Sequence, residues 1–335
     1  MNLITDVISP NVIPGLIWAY RFAADGSSSR VPDEETRAAV AHKEGWLWVH
    51  INLADARARD WIGETDVLPK DARELLLSAD NHLRLEVYDE TVAGVFADLQ
   101  KEFGRESEDI AYLRFALNDR LVISTRKSAL YSVEEARQAI DEGRRYSSAV
   151  SLLEAIVEKF ADACSLICEE LADKVDEIED RIVDEALHDE RKALSMIRRT
   201  SVRVHRQLHG LHSVFARLER ANRDKMSPPL IEAAHRLATR LDTLNHDLHA
   251  VQDRARLLQE ECAGKVADQT NRLLYIISIL TALFVPPTFV TGIFGMNTKG
   301  LIFADNENAF IYAMLMCVVS AAAVFAVVKM TGRRK

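Results

Sequence analysis

The chain is poor in the features that signal catalysis, export or nucleic-acid binding. It holds four cysteines in 335 residues, Cys164, Cys168, Cys262 and Cys317, scattered without the spacing of a disulfide framework. It has no glycine-rich phosphate loop, and no Ser, Cys or His stands in a recognisable nucleophile context, so an enzyme and a resident cofactor are not expected. The opening residues MNLITDVISP lack a basic segment followed by an apolar run, so a cleaved export signal is not expected either. The net charge of −9 argues against a nucleic-acid partner. Charge itself is absent from two places. Residues 273–294 contain no Asp, Glu, Lys, Arg or His across 22 positions, and residues 309–328 contain none across 20.

About 20 uncharged apolar residues match a hydrocarbon core of about 30 Å, so both segments read as membrane spans and membrane lipid as a partner. Lys329, Arg333, Arg334 and Lys335 follow the second span, and Arg272 precedes the first. The short connection between them holds one Lys, one Asp and one Glu. The positive-inside bias therefore predicts cytoplasmic N- and C-termini, an outward loop over 295–308 and a basic cytoplasmic tail over 331–335.

The polar remainder divides at about residue 143. GLIWAYRF and WLWVHINL are strand-like runs, PKDARELLLSAD reads as helix, and AYLRFALNDRLVISTR reads as two strands joined through Asn118-Asp119. Residues 1–143 thus form an expected α/β domain. From 144 to 272 helix formers dominate, with long helices ending near Leu187 and Arg223. MSPPLIEAA then places Pro228 or Pro229 in the first turn of a third helix. In that helix Leu230, Ala234, Leu237, Leu241, Leu244, Leu248, Val251, Ala255, Leu258 and Cys262 alternate by four and three, the stripe of a helix packed on helices. No stop signal occurs before Arg272, so one helix over 229–294, roughly 100 Å at about 1.5 Å per residue, serves as stalk and as first span. The second span is expected over 309–330.

Within the first span Asn271, Leu274, Ser278, Thr281, Val285, Thr288 and Gly292 share one face, out of phase with the leucine stripe. Traced back into the stalk, the same face takes in Glu260 and Asp253. Two readings fit. Small and hydroxylated residues let membrane helices approach closely, and they also line water-filled paths. Two spans enclose no pore alone, but a ring of identical chains turns each lining residue into a ring of oxygens. Pro286 and Pro287 are tolerable where neighbours satisfy the freed carbonyls. Gly295, Met296 and Asn297 close the span, and Asn297 there would present amide oxygens to a hydrated cation.

Elsewhere, His205, His209 and His212 fall at i, i+4 and i+7. That spacing suits zinc chelation or a solvated polar face, and neighbouring Arg203 and Arg206 favour the latter. His246 and His249 read the same way. Residues 169–190 carry eleven Asp or Glu against one Lys and one Arg, and the next segment is basic, which predicts antiparallel helices exchanging charge.

PPTFVTGIFGMN resembles the signature of the CorA metal-ion transporter family, Pro-x-Thr-Phe followed by Gly-Met-Asn at the end of the first of two C-terminal spans. WLWVHINLADARARDWI, LLLSADNHLRLEVYDE and DRLVISTRKSAL are similar to the N-terminal domain of its zinc-transporting ZntB branch. The resemblance implies an α+β membrane protein assembled as a funnel-shaped homopentamer: a cytoplasmic α/β domain, a long helical stalk and two C-terminal transmembrane helices. It implies location in the cell inner membrane and a divalent cation as cargo. By position it implies a selectivity ring of Gly295, Met296 and Asn297 and a path along Thr288, Thr281 and Asn271. Gating would fall near Leu274 with an acidic constriction at Glu260. The residues after the motif depart from the family pattern. Lys299 stands two positions beyond Asn297, where a ring of lysines opposes cation entry unless Asp305 or Glu307 pairs with it. The loop also lacks the Gly-Gly-Ile-Pro run of ZntB proteins. Zn²⁺ transport, with proton-coupled uptake, is the leading expectation. A Mg²⁺, Co²⁺ or Ni²⁺ channel is the alternative, and a membrane-anchored coiled-coil scaffold is a third reading.

Overall fold

The computed structural model describes residues 11–41, 45–102, 105–183, 190–220, 226–296 and 308–332. The chain divides into two compact units, one ending at Leu257 and one starting at Leu258.

The first unit is organised by a seven-stranded sheet. Its strands are β1 (Leu16–Phe22), β2 (Ser28–Arg30), β3 (Trp46–Asn52), β4 (Arg84–Tyr88), β5 (Thr91–Glu102), β6 (Arg105–Leu117) and β7 (Leu121–Arg126), in the order β2-β1-β3-β7-β6-β5-β4. Only β3 and β7 run parallel; every other neighbouring pair is antiparallel. The turn between β6 and β7 forms at the expected Asn118, whose side-chain oxygen accepts from the backbone N–H of Arg120 and of Leu121, both at 3.0 Å. At the entrance to β3, Gly45 adopts φ +70°, and a Cβ there would stand 2.1 Å from the Phe22 carbonyl oxygen, so only glycine fits.

Alternation along the strands sends two different residue sets to the two faces. Ala19, Leu47, Val49, Ile51, Val95 and Ile123 join one apolar core with Ala58 and Ile62 of α2 (Ala56–Glu64) and Ala72, Leu75 and Leu76 of α3 (Lys70–Leu77). Helix α1 (Thr36–Ala41) adds Ala39 to the same core. Asp55 starts α2 by accepting from the Arg57 N–H at 3.0 Å. On the opposite face Trp18, Tyr20, Phe22, Trp46, Trp48 and His50 stack side by side, and Phe96 packs on Phe215 of the helix that covers it. This face carries α4 (Tyr131–Asp141), whose start is held by the buried Asp98. Its carboxylate accepts from the N–H and the hydroxyl of Ser132. Burial raises the Asp98 carboxyl to about 6 against those hydrogen bonds.

Two long helices follow, α5 (Ala149–Val183) and α6 (Glu190–Arg220), and then α7 (Pro228–Gly295), which opens at the expected proline. The leucine stripe of α7 is buried from Leu230 through Val251 and Ala255. The acidic side of α5 takes its ion pairs chiefly from α7 rather than from basic α6. Arg236 pairs with Glu154 at 2.6 Å, and Arg254 pairs with Asp176 at 2.7 Å and Glu179 at 2.6 Å. The α6 contribution among the described residues is acidic, Glu190 to Arg181 at 3.0 Å. Charge patterning identified the acidic helix, but the packing of the leucine stripe decides which helix faces it.

The second unit holds the end of α7 and α8 (Ala309–Gly332), both long and apolar enough to cross a membrane. Along the apolar part of α7 the half-buried residues are Ile279, Ala282, Leu283, Pro286, Pro287, Val290, Ile293 and Phe294. On α8 they include Ala313, Cys317, Ser320, Ala321 and Val324. The two stripes meet where Cys317 Sγ donates to the Pro287 carbonyl at 3.7 Å.

His50 gives the first unit a defined response to acid. The ring is fully buried, its Nδ1 lies 2.7 Å from Ser124 Oγ, and Trp18 stacks on it at 4.4 Å between ring centres. Burial, and secondarily the Arg126 charge, hold its pKa well below the ordinary 6.5. Above 6.5 it is neutral in both the folded and the unfolded chain. Below that value the unfolded chain gains a proton that the folded one refuses, so stability falls with pH by up to about 1.4 kcal/mol per unit. Denaturation of the detergent-solubilised protein should show this slope between pH 6.5 and 5.5, and His50→Gln should lose it. All four tryptophans lie in this unit, so their fluorescence reports it alone.

Candidate functional site

In the second unit the side of α7 away from its α8 stripe is exposed along its whole length. Asn271, Leu274, Ser278, Thr281, Val285, Thr288 and Gly292 all lie on it, and none is buried. Leu274 and Val285 are 55% and 57% exposed, large apolar side chains with nothing over them in the single chain. Part of this side is an open groove of about 990 Å³ lined by Leu280, Thr281, Phe284, Val285, Thr288, Phe289, Gly292, Ile293 and Met296. The groove adds Phe284 and Phe289 to the residues expected from sequence. They stand four and nine positions beyond Leu280, on the flank of the three-four alternation that the sequence shows.

The hydroxyls have a defined orientation. Thr281 Oγ1 donates to the Ile277 carbonyl at 2.9 Å, and Thr288 Oγ1 donates to the Phe284 carbonyl at 2.8 Å. Each threonine proton is thereby committed to the backbone, and the oxygen lone pairs remain as acceptors on the exposed side. Such a face offers oxygens to a cation or to its water shell while carrying no charge. Pro286 and Pro287 sit inside the helix between the two threonines and remove the N–H groups that would serve the carbonyls of Ala282 and Leu283. Gly292 and Gly295 have open space where a Cβ would stand, so nothing inside this chain requires glycine at either position.

The other sequence-derived candidates are distributed as follows. Met296 is exposed just beyond the end of α7, and Gly295 is its last residue. Asn297, Lys299, Asp305 and Glu307 lie outside the described residues, as do Arg333, Arg334 and Lys335. Glu260 is exposed on α7 in the second unit, and Asp253 is exposed on α7 in the first. His205, His209 and His212 lie along α6 as spaced, with ring centres 5.8 Å apart for the first pair and 6.5 Å for the second. Among the described residues no three His, Cys, Asp or Glu side chains converge as they stand on a common metal position. Sequence reading missed that His249 of α7 meets His205, at 4.2 Å between ring centres. Cys164 and Cys168 are buried, and burial raises both thiols, which suits inert packing residues.

Comparison with known proteins supplies the context. The family model described as CorA-like Mg²⁺ transporter protein matches residues 43–330. The divalent cation transporter CmaX of Pseudomonas aeruginosa is 26% identical over 90% of this chain and 92% of its own. The zinc transport protein ZntB of Pectobacterium atrosepticum is 24% identical over 91% of this chain and 92% of its own. The solved structure of full-length CmaX superposes with a TM-score of 0.80 at 26% identity, covering 96% of this chain and 99% of that one.

The geometry predicts a periodic accessibility. With all four native cysteines replaced by alanine or serine, single cysteines at Thr281, Val285 and Thr288 should react in membranes with a charged thiol reagent. Cysteines at Leu283, Pro287 and Val290 should react about tenfold more slowly or not at all. Equal reactivity around the helix would remove the distinction between the two sides.

Proposed function

From the premise that the chain belongs to the CorA-like Mg²⁺ transporter family, whose members are membrane transporters and not enzymes, we propose that it moves Zn²⁺ across the cell inner membrane through a central pore formed by a homopentamer. The observation that carries the reading is the uncharged side of α7 that is turned away from α8. There the threonine protons are held by the backbone and the oxygens face outward. In a ring of chains this side lines the axis. The openness around Gly292 and Gly295 fits close approach of neighbouring copies.

The proposed path begins at the Gly295-Met296-Asn297 ring, where amide oxygens accept hydrogen bonds from the hydrated ion. It continues past Gly292, Thr288, Val285, Thr281 and Ser278 to Leu274 and Asn271. Leu274 supplies the narrow apolar point that gates by excluding water. Glu260 and Asp253 gather cations at the inner end of α7, in the 144–272 stalk that links the 1–143 domain to the spans. Lys299, two positions beyond Asn297, opposes cation entry unless its side chain turns away or pairs with Asp305 or Glu307. The N- and C-termini face the cytoplasm, since the basic residues Arg272 and Lys329 flank the spans on that side. Zinc and proton-coupled uptake are supported by the likeness of the N-terminal domain to the ZntB branch and by relatives named as zinc transport proteins. A specific observation favours a second reading, a Mg²⁺, Co²⁺ or Ni²⁺ channel: the Gly295-Met296-Asn297 tripeptide is intact, and the family description names Mg²⁺.

Uptake into liposomes holding the purified protein, followed with Zn²⁺ and Mg²⁺ reporters with and without a pH gradient, tests the proposal. The expected result is Zn²⁺ entry that rises under the gradient and falls by about tenfold or more in Asn297→Ala, which removes the ring of amide oxygens. Gradient-independent Mg²⁺ flux would establish the second reading instead. No flux of either ion would return the chain to the scaffold reading.

A further inference from the structure

The transport reading leaves one cluster of reactive side chains unused. Helices α6 and α7 face each other in the first unit, and six of the ten histidines lie along their contact, His235 of α7 meeting Glu219 of α6 at 3.0 Å. At one end His212 and His246 flank the Asp242 carboxylate, each at 3.8 Å. At the other end, among the described residues, no carboxylate is paired with the rings. His205 stacks on His209 at 5.8 Å and meets His249 at 4.2 Å, and its Nε2 is out of solvent with no hydrogen-bond partner. A buried polar nitrogen without a partner costs about 1–3 kcal/mol and calls for a reason.

We infer that His205 and His209 of α6 and His249 of α7 form a binding site for a zinc-class divalent cation that clips the two helices together, distinct from the transport path. Imidazole nitrogens about 2.0–2.1 Å from zinc place the ring centres of a tetrahedral site about 5 Å apart, and the two observed separations bracket that spacing. The i, i+4 pair on α6 supplies two ligands from adjacent turns. The rings are stacked as they stand, so the site closes by rotation of His209 and His249. Both are solvent-exposed and free to turn, while His205 is held by packing. Burial, followed by the nearby His249 and His209, keeps the His205 pKa below its ordinary value, so a lone pair is available at neutral pH. The nearby Arg203 is already engaged by Asp109 at 3.1 Å. Three nitrogen donors without a paired carboxylate select borderline metals over Mg²⁺, which takes oxygen ligands. The inference does not depend on which ion the pore carries.

The test is zinc stoichiometry on the chelator-stripped, detergent-solubilised full chain, with excess Mg²⁺ present to mask oxygen sites. Wild type should bind one more Zn²⁺ per chain than His249→Ala, and Co²⁺ should give visible ligand-field bands in wild type alone. Metal bound in the transport path is common to both proteins and cancels in the difference. Equal stoichiometry in a variant with wild-type thermal stability would overturn the site. Were that variant to unfold, carbethoxylation of the wild type by diethyl pyrocarbonate answers the same question. Zn²⁺ but not Mg²⁺ should protect His209 and His249 and leave His246 reactive, whereas labelling unchanged by zinc would overturn the inference.

Discussion

An uncharged helix in hydrocarbon must still account for every polar group it carries, and in α7 that constraint falls on one side. Two prolines remove backbone donors, and threonines place oxygens on the exposed face. The backbone takes the threonine protons and leaves their oxygens as acceptors on the exposed side, a face better suited to water, an ion or another copy than to lipid. The division of labour between the two membrane helices follows: α8 has no comparable polar stripe and packs against the proline side of α7, where Cys317 meets the Pro287 carbonyl.

The same helix carries two stripes in different phases. From Leu230 to Ala255 the buried residues are leucine, valine and alanine at heptad spacing, and the ion pairs from Arg236 and Arg254 to α5 fix the orientation of that stripe. Beyond Arg272 the exposed hydroxylated stripe follows another set of positions. The sheet beneath supplies rigidity, with His50 and Asp98 buried as single polar groups, each hydrogen-bonded, on the face that α4 covers.

Much of this was legible in sequence because it rests on local periodicity. Strands β1 and β3, helix α3, the Asn118 turn and the proline that opens α7 all stand where pattern placed them. Strands β4 and β5 were not recognised: β5 interrupts its alternation with Gly94, where a Cβ would clash with Phe115, and that reason is tertiary. The single parallel pairing of β3 with β7 joins segments about seventy residues apart and leaves no local mark. At the site, the hydroxylated face was visible as a three-four alternation. The aromatic edge at Phe284 and Phe289, and the meeting of His205 with His249, depend on the fold around them. The ion pairs of α5 show the limit of reading charge alone, since complementary composition pointed to α6 and packing chose α7.

The central claim is that the Thr288 side of α7 faces its own counterpart across an axis. Oxidative cross-linking in native membranes tests it directly, using single cysteines in a background in which all four native cysteines are replaced. The account predicts that Thr288→Cys forms disulfide-linked dimers between copies, that bound cation slows the reaction, and that Leu283→Cys on the α8 side forms none. Cross-linking at Leu283 with none at Thr288 would contradict it, because the hydroxylated face would then point into lipid or toward α8.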